Sequence, residues 1–222
     1  MNNIYEISPK KRRINLNFSL NIWLIIINVL VFIVFSILIS KEILPLDYIA
    51  LNPSNIFLGK YLWTFLSSMF MHAGFLHLFV NMLSLIFIGS LVEKLIGKRR
   101  YFWFYIISGI FAGLFFLASS LVFTKDIATY AVGASGALFG LIGLLIFLTP
   151  NLPVYVMFIP IPIKMKYAAP GMLILLWIVS AVGNIGIGNF AHLGGLICGM
   201  AYGLFLRKKF PKRVKYIQRS FS

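Results

Sequence analysis

The chain contains several apolar runs that reach or approach the roughly 20 residues a helix needs to cross a bilayer. Leu16 to Ile39 is one, and Tyr101 to Phe123 is another. Hydrophobic residues make up 60% of the sequence, against roughly 45–50% in a soluble domain. Runs of this length in a chain of 222 residues imply an all-α polytopic membrane protein built as one compact bundle. The first run is too long for the core of a signal peptide and no Ala-x-Ala site follows it, so it reads as a retained helix.

Six helices are expected: 16–39, 75–92, 101–123, Ser135 to just before Thr149-Pro150, 167–182 and 190–206. Residues 16–206 form the membrane domain, between a basic tail at 1–15 and a second at 207–222. Residues 40–74 make a long first loop broken by Pro45, Pro53 and Gly59. Its Tyr48, Phe57, Tyr61, Trp63 and Phe65 suit the headgroup region of the interface. Residues 150–163 are Pro-rich and read as a loop, and Gly183, Gly186 and Gly188 as a flexible turn. Net charge is +15. All of the 20 basic residues except Lys41, Lys60 and Lys125 fall in the two tails or in the loops after the second and fourth helices. The positive-inside rule explains that pattern better than nucleic-acid binding does. It puts both termini of a multi-pass cell-membrane protein in the cytoplasm. The single cysteine, Cys198, excludes a disulfide within the chain and reads as a small core residue.

This topology brings three polar sites to one depth. Ser135 opens the fourth helix, His192 lies in the first turn of the sixth, and His77 and Asn81 lie at the start of the second. The fourth helix is short: Ser135 to Leu148 rises about 21 Å, against about 30 Å of hydrocarbon. Ser135 should therefore be recessed roughly 10 Å from the outer surface. Gly136, Gly140 and Gly143 share a face of that helix. His192, Gly195, Gly199 and Gly203 form a stripe on the sixth. Small residues at such spacing let membrane helices meet backbone to backbone. Packing accounts for the glycines but not for an imidazole on their stripe, because an ionisable group inside a membrane is costly. Ser135 stands out by its glycine flanks and its position, whereas Ser67, Ser68, Ser84, Ser90, Ser119 and Ser120 read as packing or interface residues.

A serine hydroxyl becomes a nucleophile when a base takes its proton, and His192 is the candidate base. No carboxylate is placed to complete a triad, since Glu6, Glu42, Asp47, Glu93 and Asp126 all lie in the tail, in loops or at a helix end. The expectation is a Ser–His dyad for acyl transfer, with Phe139, one turn beyond Ser135, holding the imidazole. The developing oxyanion needs donors. The Ser135 N–H at a helix start and the side chains of Asn81 and His77 are candidates. His72 reads as structural or interfacial, and Glu93 as a cap or partner at the cytoplasmic end.

Three motifs occur in order: His77-x-x-x-Asn81, Gly133-Ala134-Ser135-Gly136, and Ala191-His192-Leu193-Gly194-Gly195. With Trp63 in the first loop and Glu93-Lys94 at the end of the second helix, they resemble the rhomboid family of intramembrane serine proteases over roughly residues 17–206. The resemblance implies a six-helix rhomboid-like bundle with Ser135 as nucleophile and His192 as general base. It implies Asn81, His77 and Gly133 around the oxyanion or substrate. It also implies substrates that are single-span membrane proteins, whose helix unwinds into the site near the second and fifth helices. No metal or organic cofactor is implied, and the lack of a soluble domain or seventh helix resembles the minimal bacterial or archaeal form. Two positions depart from the family pattern: Thr64 follows Trp63 where Arg is frequent, and Phe139 stands where many members have Tyr. A non-catalytic membrane binding or chaperone protein on the same scaffold is the alternative. A transporter is disfavoured by the apolar lower halves of the fourth and sixth helices.

Overall fold

A computed structural model describes residues 19–123, 127–156, 159–183, 186 and 188–221. The basic segment 1–15, Lys125 and Asp126 lie outside the described residues, as does part of the glycine turn before 188. The chain is a helical membrane bundle. Among the described residues, five helices are long and apolar enough to cross a bilayer: α1 (Leu20–Ser40), α4 (Phe75–Ile96), α5 (Lys98–Ser120), α7 (Met165–Gly183) and α8 (Asn189–Lys209). Two short helices, α2 (Pro53–Phe57) and α3 (Thr64–Ser67), belong to the first loop. The central helix is the short α6, Ser135–Leu148, and α9 (Pro211–Ser220) follows α8. Hydrocarbon offers no partner for backbone N–H and C=O groups, so each apolar run closes its own hydrogen bonds as a helix.

Helix α6 is buried almost all round, from Gly136 through Leu145 and again at Leu148. A helix apolar on every side is one enclosed by others. Here α4, α5, α7, α8 and α9 all pack on it. The outer helices present Leu30, Phe79, Trp103, Ile178 and Leu204 on the exposed surface, the face that meets lipid.

The most extensive contact is between α6 and α8, and glycine sets its distance. A β-carbon on Gly195 would stand 2.0 Å from the Gly136 carbonyl oxygen, and one on Gly199 would stand 2.0 Å from that of Gly140. One on Gly143 would stand 2.4 Å from the Leu196 carbonyl oxygen. Backbone occupies the place of each missing methyl, so no side-chain rotation could make room. Gly140 also receives Ser108 of α5, whose hydroxyl fills the space a side chain would take.

Helix α4 is longer than the sequence suggests and is not uniform. Residues Leu85–Gly89 form a π-helical turn, and the helix runs on to Ile96 before Gly97, at φ 86°, ends it. The turn is stabilised from α1. Asn21 donates from Nδ2 to the Leu85 carbonyl at 2.7 Å and to Ser90 Oγ at 3.0 Å, and its Oδ1 accepts from the Tyr101 hydroxyl at 2.6 Å. Gly89 leaves the room, since a β-carbon there would lie 2.2 Å from Asn21 Oδ1. One turn on, the buried Glu93 carboxylate accepts from the backbone N–H groups of Leu20 and Asn21, each at 3.0 Å, and from the Ser19 hydroxyl. It caps α1 at the pole of the helix dipole that favours negative charge.

Three expected loops are more ordered than their composition implies. In the Pro-rich segment, Pro153 and Val154 pair antiparallel with Lys164 and Ile163. Proline at the first residue of a two-residue ladder is tolerated because it need not donate. Lys98, Arg99 and Arg100 are not loop residues: they form the first turn of α5, with Gly97 alone separating it from α4. In the basic C-terminal segment, α9 buries Val214, and Gln218 donates to the Phe147 carbonyl at 2.8 Å, serving one of the unpaired carbonyls at the end of α6.

The α6–α8 contact yields a direct expectation. Gly199→Ala should lower the detergent melting temperature by several degrees, as overpacking against backbone costs about 1–3 kcal/mol. Gly59→Ala is a poor control because of its positive φ, whereas Gly171→Ala, where nothing lies within 4 Å, should change little. Equal melting of the Gly199 and Gly171 variants would refute the account.

Candidate active site

The first loop builds the approach to Ser135. Leu51 and Ala131 exchange backbone hydrogen bonds at 3.0 and 2.8 Å, and Gly133 N–H donates to the Ser68 carbonyl at 2.9 Å. The loop is partly buried: Ile49, Ala50, Leu51, Met69 and Met71 are all core residues, while Tyr48, Phe57 and Trp63 stay exposed. Its anchoring does not need an arginine after Trp63. Trp63 Nε1 donates to the Tyr48 carbonyl at 2.9 Å, Ser67 Oγ donates to the Ile49 carbonyl at 3.0 Å, and Asp47 accepts from Asn55 and from the Tyr130 hydroxyl. Thr64 itself is fully buried and donates to the Tyr61 carbonyl at 2.7 Å.

Ser135 opens α6 with no side chain capping the helix. Its N–H is therefore outside the helical ladder. His192 is in the first turn of α8 and is 6% exposed. Its Nε2 lies 2.7 Å from Ser135 Oγ, a hydrogen bond across 57 residues of sequence. The Phe139 ring stacks on the imidazole with centroids 4.6 Å apart and planes 20° apart. Among the described residues, His192 Nδ1 has no hydrogen-bond partner, so no carboxylate orients the ring. Phe139 on one side, and the α6–α8 spacing on which both side chains sit, do that instead. Two residues before His192, the Phe190 ring meets Phe123 at 4.8 Å and Trp177 at 5.5 Å, which fixes the start of α8.

The other side of the serine is closed by His77. A β-carbon on Gly133, at φ 125°, would lie 2.8 Å from both Cε1 and Nε2 of His77 and 3.6 Å from Ser135 Oγ. Only glycine fits between the two side chains, and the backbone there is in a region that favours glycine. The Ala73 N–H points at His77 Nδ1 from 3.4 Å. That contact assigns Nδ1 as acceptor, so in the neutral ring Nε2 carries the proton and faces the Gly133 side. Asn81, one turn along α4, is buried and donates to the His77 carbonyl at 2.9 Å. Ser135, His192, Phe139, Gly133 and His77 therefore form one cluster, with Asn81 behind His77 rather than in hydrogen-bond contact with the serine. Gly136, Gly140, Gly195 and Gly199 hold the helices behind it, and Gly203 meets the Phe147 ring further along.

His72 extends the cluster in a way its sequence context does not announce. It is 1% exposed, and its ring meets the edge of His77 at 5.1 Å. Five residues separate it from His77, which is no helical repeat, and the turn at 72–74 makes the meeting. Burial, with the neighbouring His77 as the lesser cause, holds His72 down to about 3 from an ordinary 6.5. The unfolded chain then binds one more proton than the folded chain between those values. Stability contributed this way is complete above about pH 6.5 and lost as pH falls toward 3. The melting temperature in detergent should drop between about pH 7.5 and 5, and His72→Phe should shrink that drop. Identical drops in the two proteins would contradict it.

Comparison with known proteins gives a consistent picture. A family model described as Rhomboid domain matches residues 59–209. "RHOMBOID-like protein 6, mitochondrial" of Arabidopsis thaliana is 36% identical over 164 residues, covering 71% of this chain and 48% of the relative. "RHOMBOID-like protein 2" of the same plant is 38% identical over 151 residues, covering 65% and 42%. "Inactive RHOMBOID-like protein 8", also from Arabidopsis thaliana, is 34% identical over 139 residues, covering 61% and 36%. The chain thus spans less than half the length of these relatives.

Proposed function

Because the chain belongs to the rhomboid family, we propose that it is an intramembrane serine endopeptidase acting through a Ser135–His192 dyad. The observation that carries this reading is the 2.7 Å contact between His192 Nε2 and Ser135 Oγ at the buried end of α6. As Ser135 Oγ attacks the scissile carbonyl carbon, His192 Nε2 takes the hydroxyl proton. It then gives that proton to the departing amine, leaving an acyl-enzyme on Ser135. Water enters, loses a proton to the same nitrogen, and the ester is hydrolysed as Oγ regains its hydrogen.

Charge that develops on the carbonyl oxygen is met by the Ser135 N–H and the His77 Nε2–H, donors whose positions are fixed before the reaction. Asn81 supports His77 from the next turn through its hydrogen bond to the His77 carbonyl, and Gly133 keeps the gap between His77 and Ser135 open. The substrate is a transmembrane segment of another membrane protein, reaching the site between α4 and α7. Phe75, Phe79, Trp177 and Val182 on those two helices are exposed, and such apolar faces suit a helix arriving from lipid. The charge pattern supports a cell-membrane location with the basic end and both termini in the cytoplasm.

One relative's name carries the word inactive, which makes a non-catalytic binding protein the second reading. Against it stands the serine–histidine pair in hydrogen-bond contact. Ser135→Ala in purified protein should reduce cleavage of a model transmembrane substrate by roughly 10³-fold or more. His77→Ala, which removes one oxyanion donor, should cost roughly 10²-fold. A fluorophosphonate probe should label Ser135, and His192→Ala should block it. Full cleavage by the Ser135→Ala protein would overturn the mechanism, and a chain that neither cleaves nor labels would favour the binding reading.

A further inference from the structure

Far along the bundle from Ser135, at the end rich in lysine and arginine, an open cavity of about 970 Å³ lies between α5 and α8, on the exposed face where Trp103 and Ile107 are each 55% exposed. Gly97, Lys98, Arg99 and Arg100 form its rim, while Trp103, Ile107, Cys198 and Ala201 line its wall. The deeper surface is made firm by Phe104 and Tyr202, whose rings stack at 4.7 Å. The cavity thus has one cationic end and one apolar end. From Arg99 to Ile107 it follows α5 for about 12 Å, from the basic end into the hydrocarbon.

The positive charge is concentrated beyond what topology requires. Lys98, Arg99 and Arg100 occupy the first turn of α5, a turn that holds no acidic residue of its own. That is the positive pole of the helix, where cations are disfavoured and an anion is welcome. Arg100 is drawn in toward α8: its guanidinium lies 5.4 Å from the Phe210 ring, and Lys209 Nζ approaches the same ring at 5.8 Å. Trp103 is 55% exposed beside them, as an indole is at a headgroup boundary. A positive-inside bias explains why such residues carry this sign. It does not explain why they ring the mouth of an apolar cavity.

We propose that this cavity is a binding site for an anionic phospholipid, with its phosphate held by Arg99 and Arg100 and an acyl chain lying along Trp103, Ile107, Cys198 and Ala201. Charge complementarity selects the headgroup: a zwitterionic lipid brings a cation of its own to the same rim. A basic pocket between membrane helices is the kind of feature that recognises acidic headgroups. The site is independent of the peptidase reading, since none of its residues touches Ser135 or His192. By bracing α5 against α8, the bound lipid would support the bundle from the end opposite the serine.

The test uses the full chain in nanodiscs of equimolar phosphatidylglycerol and phosphatidylcholine, released for native mass spectrometry. The chain should retain phosphatidylglycerol with roughly tenfold preference. Arg99→Gln with Arg100→Gln should erase the preference. Ala201→Trp, which fills the cavity and leaves every charge in place, should abolish the retained lipid. Lys212→Gln with Lys215→Gln on α9 should leave both unchanged. Equal retention of the two lipids would overturn the proposal, and so would retention that survives Ala201→Trp. Loss of preference in the α9 variant would also overturn it, because diffuse surface charge would then be the cause. If the arginine variant fails to fold, the Ala201→Trp result decides.

Discussion

Two helices touching through their backbones hold this molecule together. Inside a bilayer, lipid tails are as apolar as leucine, so burial alone does not drive one helix onto another. Association rests on close van der Waals approach, which falls away over less than an ångström. The glycines of α8 press on the carbonyls of Gly136 and Gly140, and Gly143 presses back on the carbonyl of Leu196. That contact explains why α6 can be too short to span hydrocarbon. It is held on all sides by protein, and one of its last carbonyls is met by Gln218 from α9. It also sets the 2.7 Å separation of Ser135 and His192, because both side chains project from the same pair of rods.

Two sets of buried polar groups contrast. At the basic end they are paired: Glu93 takes three donors, and Asn21 links α1, the π turn of α4 and Tyr101 of α5. Beside Ser135, His192 Nδ1 has no hydrogen-bond partner among the described residues. Buried polar atoms are nearly always satisfied, so an exception calls for a reason. The paired network serves rigidity. The unpaired imidazole nitrogen keeps hydrogen-bonding capacity in reserve, as a site for incoming polar groups does.

Much of this was legible in the sequence. Apolar runs of bilayer length announced the helices, and the short fourth run announced the short α6. Glycine at regular spacing, with one histidine on its stripe, pointed to the α6–α8 face and to what projects from it. Phe139 was readable as the ring beside the imidazole from its place one turn beyond Ser135. Less legible were features set by contacts distant in sequence. The π turn in α4 depends on Asn21, more than sixty residues earlier. The bridge of Leu51 to Ala131 and the support of His77 by His72 depend on backbone turns that carry no periodic pattern. The first turn of α5 was read as loop because three consecutive cations mimic one, whereas Gly97 shows where the break lies. Asn81 reads from the sequence as a candidate oxyanion donor, yet its amide is engaged with the His77 carbonyl and stands behind the serine rather than beside it.

The central claim is that the glycine contact fixes a serine and an imidazole in reactive geometry beneath the membrane surface. An experimental structure of the chain in lipid, with a phosphonate joined to Ser135 Oγ, tests it most directly. The account predicts His192 Nε2 still beside Oγ, the Phe139 ring flat against the imidazole, and a phosphoryl oxygen within hydrogen-bond distance of both the Ser135 N–H and His77 Nε2. An adduct on another residue, or one whose oxygen faces away from His77 with the imidazole swung clear of the serine, would contradict it.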